Sequence, residues 1–421
     1  MIIFERDKPK NLIIWSTIFL LTQLFGFIAY IVSRIVFTQK YNSLLVKLKE
    51  DEIYKKLVNK SIIKENKVQE EIFEFNNLAY NASSSFNNSF EFINNNTKFE
   101  ENLLKDIRNA SKFIIFETNN FNFRNFEGLL DILKQKIEHG IIVKFVYDGH
   151  VALKIKKQLK SIGVKVYKFS KHSTLGRVYS NLRNIISIDG KICYLANLNS
   201  ITTQSKFEVS NTIIKLKGEV VNEIDLMVHE DTIFASGKFL KYSQVPVEQQ
   251  YGNCAMQFVC NQINTNIELI LIKAICTAKK SIYLHLSEFI PTESIMSLLR
   301  FAINSNIDVK LIVPLKNYKQ NKYYASRAYA KELALIGANV YLFDGYIFDN
   351  SVIVDSNYVI AGSFIVDREH ISNSLQSIIL MKDEKVVSYF NKQFDLAINN
   401  SYRISNAKLM LLREKFFKNF I

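Results

Sequence analysis

The chain has 421 residues, of which 48% are hydrophobic, with only 13 Gly and 4 Pro; it is neither too short nor too polar to build two ordinary domains. A formal net charge of +14 favours an anionic partner, nucleic acid or anionic lipid, and does not choose between them. Cys193, Cys254, Cys260 and Cys276 form no CxxC pair and have no His cluster beside them, which argues against a zinc site and fits reduced thiols in a cytosolic domain.

Residues 12–32 are uncharged and mostly apolar, with Trp15 near one end and Tyr30 near the other. At 1.5 Å per residue this length predicts one crossing of a ~30 Å hydrocarbon core, with aromatic residues at its interfaces. Arg34, Lys40, Lys47 and Lys49 follow it before the first acidic residue, Glu50. The positive bias places the bulk of the chain on the cytoplasmic side of a cell membrane, and a span argues against nucleic acid as the partner. Residues 40–75 carry Leu44, Leu45, Leu48, Ile53 and Leu57 at helical spacing. Residues 76–98 are Asn- and Ser-rich and read as a linker or a loop-rich entry to the first domain.

The remainder repeats itself. LLKDIRNASKFIIFE (103–117) parallels LILIKAICTAKKSIYLHLSE (269–288), and KQKIEHGIIVKFVYDG (134–149) parallels RFAINSNIDVKLIVPL (300–315). KQLKSIGVKVYKF (157–169) parallels KELALIGANVYLF (331–343), and LRNIISIDGKICYLANLN (182–199) parallels FDNSVIVDSNYVIAGSFI (348–365). Four helix-and-strand blocks in the same order predict two copies of one α/β domain with mixed or largely parallel sheets. The expected organisation is an anchor at 1–40, a helical linker at 41–98, and domains at 99–245 and 250–421. A pseudo-two-fold axis would bring equivalent loops to one central cleft.

Several stretches carry a family resemblance: IIFETNNFNFRN (114–125), VKFVYDG (143–149), SIDGKI (187–192), FIPTES (289–294), YYASRAYAKEL (323–333) and FDLAINNSYRIS (394–405). In their order they resemble the bacterial cardiolipin synthases of the phospholipase D superfamily, in which an HxKxxxxD motif stands in each half. The resemblance implies two tandem phospholipase D-like domains behind a membrane anchor; that family usually has two spans, and one is found here. It implies phosphatidyl transfer from phosphatidylglycerol. One motif His attacks the phosphodiester, the other protonates the leaving glycerol, the Lys pair holds the phosphoryl oxygens, and no metal or other cofactor takes part.

Anchored on Asp189 and Asp355, the motif His positions are Leu182 and Phe348, and the Lys positions are Asn184 and Asn350. Leu and Phe have no lone pair or titratable proton for nucleophilic or acid–base work. Asp189 and Asp355 remain, either as turn caps or in an orienting role. Arg183, Asn199, His285, Arg327 and Ser363 are candidates for cleft or lipid-phosphate contacts, and His150 and His172 are further histidines within reach of a cleft. Three readings stay open. One is a non-catalytic homologue that binds anionic phospholipid or pairs with an active cardiolipin synthase. The second is a working transferase with relocated groups. The third is a membrane-tethered scaffold whose cleft is filled.

Overall fold

The computed structural model describes residues 70–119, 128–149, 151–169, 180–195, 208–238, 249–261, 267–315 and 320–404, with scattered positions in 16–28 and residues 246, 247, 414 and 418. Most of the expected span at 12–32 and of the charged stretch at 40–75 lies outside them. Described positions between 16 and 28 are helical. Among the described residues, no helix is long and apolar enough to cross a membrane.

The fold is mixed α/β. A seven-stranded sheet runs in spatial order Asn88–Ile93, Ile213–Gly218, Ile192–Leu195, Ile185–Ile188, Phe113–Thr118, Ile142–Tyr147, Lys165–Lys168. A nine-stranded sheet contains Ala255–Cys260, Ser377–Lys382, Tyr358–Ser363, Asn350–Val354, Ser281–His285, Asp308–Pro314, Asn339–Phe343 in the same succession. Its two extra strands lie at the ends: Ser84–Ser85 beside Ala255–Cys260, and Ser401–Arg403 beside Asn339–Phe343. In each sheet the last three strands of the common succession are parallel and the rest antiparallel. The repeated sequence blocks thus occupy equal places in the two sheets.

Local sequence explains the helices. Asn96–Arg108 starts at Asn95, whose side chain accepts from Lys98 N–H at 3.1 Å. It buries Phe99, Leu103 and Ile107 at four-residue spacing. Glu293–Asn304 starts on Thr292 in the same way and buries Ile295, Met296 and Leu299. Each sheet covers one face with such helices, building separate cores around Phe116 and Leu311. A third core is shared by both sheets. Ile185 and Ile214 of one meet Met256 and Ile353 of the other, with Val228 of helix Glu219–Ser236 and Phe390 of helix Glu384–Asn399.

Two short parallel ladders also join the halves. Ser180–Asn181 pairs with Ser374–Leu375, and Gly345–Ile347 pairs with Glu208–Ser210. Each ladder ends on a motif position. Leu182 N–H donates to the Leu375 carbonyl at 2.9 Å, and Phe348 N–H donates to the Ser210 carbonyl at 2.9 Å. The motif backbones are therefore fixed by the opposite half.

Candidate functional site

These ladders deliver Leu182 and Phe348 to one cavity of about 60 Å³ between the sheets, whose wall also includes Asn184, Asp349, Asn350 and Ser363. A water takes roughly 30 Å³ in the liquid, and ligand pockets run to roughly 300–1,000 Å³. Between the described residues the cavity has room for a few waters. Among the described residues, no His, Lys or Arg lines it.

The two asparagines at the motif Lys positions are tied down by hydrogen bonds. Asn184 Oδ1 accepts from Thr118 Oγ1 at 2.8 Å, its Nδ2 donates to the Leu182 carbonyl at 3.1 Å, and its N–H donates to Ser363 Oγ at 3.3 Å. Asn350 Oδ1 accepts from Ser287 N–H at 2.7 Å and Ser287 Oγ at 3.0 Å, while its Nδ2 donates to the Phe364 carbonyl at 2.6 Å. Neutral amides so occupied supply no cation for a phosphoryl group. Ser287 and Ser363 bring hydroxyls to the wall, but Ser287 Oγ donates to an amide oxygen, which is no general base, and Ser363 Oγ accepts from a backbone N–H.

Asp189 and Asp355 turn away from the cavity. Asp189 accepts from the N–H groups of Ser111, Lys112 and Phe113 at 2.7–2.9 Å. Asp355 accepts from those of Lys279, Lys280 and Ser281 at 2.7–2.8 Å. Both sit at positive φ, 57° and 54°, in turns closing strands Ile185–Ile188 and Asn350–Val354. Each carboxylate pins the start of the adjacent strand, which is the turn-capping role.

Arg183 does not face the cavity either. Its guanidinium is buried. It pairs with Asp231 of helix Glu219–Ser236 and donates to the backbone carbonyls of Asn261 and Gln376. Glu117 lies beside this pair, fully buried, and accepts from Asn181 Nδ2 at 2.6 Å. Burial first, then the Asp231 carboxylate, push the Glu117 carboxyl well above the ordinary glutamate range, against the opposing Arg183 charge. Among the described residues Glu117 Oε2 receives no donor, so a proton held on Glu117 relieves the contact between the two acids. In the other half the equivalent positions are His285 and Asp349, Nδ1 to Oδ1 3.9 Å apart. Burial pulls the His285 imidazole below its ordinary range, against the pull of Asp349, and its Nε2 has no partner among the described residues. An acid–base pair in one half stands where a base–acid pair stands in the other. The sequence pattern did not point to Glu117, Asp231 or Asn261; Glu117 occupies the place of His285 in the repeated blocks 103–117 and 269–288.

Residues 271–397 match the family model described as the phospholipase D-like domain of cardiolipin synthase. Over 436 residues the chain is 24% identical to a probable cardiolipin synthase of Bacillus subtilis, covering 96% of this chain and 85% of that one. It is 26% identical to cardiolipin synthase 1 of Staphylococcus epidermidis, covering 95% and 89%. The phosphatidylserine synthase structure from Haemophilus influenzae shares the fold, with a TM-score of 0.58 and 12% identity over 79% of this chain and 92% of that one. The chain is a cardiolipin synthase-like protein of the phospholipase D superfamily.

In this cardiolipin synthase-like chain, Arg327 also lies away from the cavity. It stacks over the Tyr323 ring at 5.3 Å and pairs with Glu414 at 3.3 Å, while Lys331 reaches the same carboxylate at 2.6 Å. Asn199, His150 and His172 fall outside the described residues. Of the candidates, the structure brings Leu182, Asn184, Phe348, Asn350 and Ser363 together, and places Asp189, Asp355, Arg183, His285 and Arg327 off the wall. Glu288, Asp367 and His370 converge closely enough to hold a metal ion. Lys322 already supplies a positive charge there, with its ammonium on Asp367 and 3.3 Å from Glu288. Burial alone would raise the Asp367 carboxyl; the Lys322 charge outweighs it and holds the carboxyl below its ordinary range.

Proposed function

We propose that this chain is a non-catalytic, membrane-associated cardiolipin synthase homologue, built from two phospholipase D-like halves of which the first takes in strand Asn88–Ile93 as well as the expected 99–245, whose closed cleft makes it a regulatory or scaffolding partner of an active synthase. One observation carries the reading. The cavity between Leu182 and Phe348 measures about 60 Å³, and among the described residues no imidazole, ammonium or guanidinium lines it. Phosphatidyl transfer needs a nucleophile, an acid and charge neutralisation, and each group of this kind contributes roughly 10²–10⁴-fold to a rate. A negative Asp349 on the wall also disfavours a phosphate there. The cavity thus favours a filled cleft over a lipid-binding one.

The test is direct. The full chain, reconstituted in phosphatidylglycerol vesicles, is incubated and the lipids separated; cardiolipin stays at the level of protein-free vesicles. Cardiolipin above that level, lost in a His285→Ala chain, would overturn the reading and favour relocated catalytic groups.

A further inference from the structure

We propose that the open edge of the seven-stranded sheet, formed by helix Leu153–Ser161 and strand Lys165–Lys168, is a docking surface for an anionic membrane. It lies apart from the central cavity and does not depend on whether that cavity is reactive.

The charge there is one-sided. No Asp or Glu occurs between Asp148 and Asp189, whereas the helix and the strand together carry six Lys. Helix Leu153–Ser161 buries Ile155 and Leu159 and turns its other faces outward. Lys154, Lys157, Lys160, Lys165 and Lys168 are exposed. Among the described residues no carboxylate forms an ion pair with any of them, although Lys98, Lys215, Lys273 and Lys310 elsewhere do have such partners. The other half makes the contrast. Its corresponding helix, Gln320–Leu335, spends Lys322, Arg327 and Lys331 on Asp367, Glu288 and Glu414. Its corresponding edge strand is covered by Ser401–Arg403. No described strand covers Lys165–Lys168.

Lysines on an edge strand also discourage pairing with another chain, but that role does not extend to the helix. There Leu153, Lys157 and Lys160 follow at four- and three-residue steps and share one face. Leu153 opens that face 72% exposed. An apolar side chain among unpaired ammonium groups suits a headgroup layer, where the leucine enters the acyl boundary and the lysines meet phosphates. A nucleic acid would use the lysines and leave the leucine without a role. Each lysine near an anionic surface strengthens binding by roughly fivefold, and the effect fades within a Debye length.

The experiment uses the full chain carrying Trp15→Phe and Leu153→Trp, so that the single indole reports on this face. It is reconstituted in vesicles of phosphatidylcholine alone, or of phosphatidylcholine with phosphatidylglycerol, with brominated acyl chains as quenchers. The expected result is quenching that requires phosphatidylglycerol and is reversed by molar salt. Combined Lys154→Gln, Lys157→Gln and Lys160→Gln should weaken docking by about a hundredfold, while Lys279→Gln with Lys280→Gln should not change it. Hydrogen exchange of peptides covering 151–169 in the unsubstituted chain gives the same comparison without the indole. Equal signals in the two lipid mixtures would overturn the proposal. So would a single-stranded RNA that displaces the lipid at physiological salt.

Discussion

Glu117 shows how a side chain can be decided by neighbours far away in sequence. It stands in the block that repeats as His285, and its environment comes from Asn181, Arg183 and Asp231. Its folded proton affinity is raised, so its favourable contribution is present in full below the unfolded value near 4.5. That contribution is lost as pH rises toward and through the folded value, at up to about 1.4 kcal/mol per pH unit. Glutamine has the same shape and never ionises. The stability of Glu117→Gln relative to the parent should therefore climb with pH, read from urea unfolding at a series of pH values from acid to alkaline. A difference that stays flat would mean that Glu117 is not the buried proton carrier.

At the junction of strand Ile213–Gly218 and helix Glu219–Ser236, backbone geometry sets the limits. Gly218 has φ of 111°, and a Cβ there would stand 2.0 Å from the Asn87 carbonyl oxygen. That oxygen also accepts from Glu219 N–H at 3.1 Å, so it cannot retreat without opening the helix start. Gly140 also has positive φ, 82°, but no atom lies within 4 Å of its would-be Cβ. Gly140→Ala should cost only the left-handed backbone penalty, about 1 kcal/mol. Gly218→Ala should cost about 3 kcal/mol or more, because overlap adds to the backbone term. Thermal melting of the two variants side by side checks the order, and equal losses would contradict it. Much at this level was legible in the sequence. The four repeated blocks correspond to strands at the same places in both sheets, because equal apolar patterns fold into equal layers. The two short ladders were not legible, since Ser180–Asn181 and Ser374–Leu375 carry no pattern of their own and pair only when the halves meet.

The halves meet around Arg183. Its guanidinium binds Asp231, 48 residues on, and the carbonyls of Asn261 and Gln376, 78 and 193 residues on. Arg183→Gln would leave Asp231 buried beside Glu117 without its counter-charge and should cost about 3–5 kcal/mol. Arg183→Lys should restore only part of this, because a single ammonium cannot reach three divergent acceptors. Denaturant unfolding of both variants tests the assignment. An arginine that served a lipid phosphate instead would leave stability nearly unchanged when replaced.

What the sequence determined was the repeat, the family resemblance and the matched loss of His and Lys at Leu182, Phe348, Asn184 and Asn350. Those depend on residue identity and order along the chain. Only the tertiary structure decided that the described residues around Leu182 and Phe348 leave a cavity of about 60 Å³, that Asp189 and Asp355 hold strand starts, and that Arg183 points inward. The physical reason is the same each time. A side chain's partner is chosen by three-dimensional proximity and by the cost of leaving a buried polar group unpaired, and neither is written in local spacing.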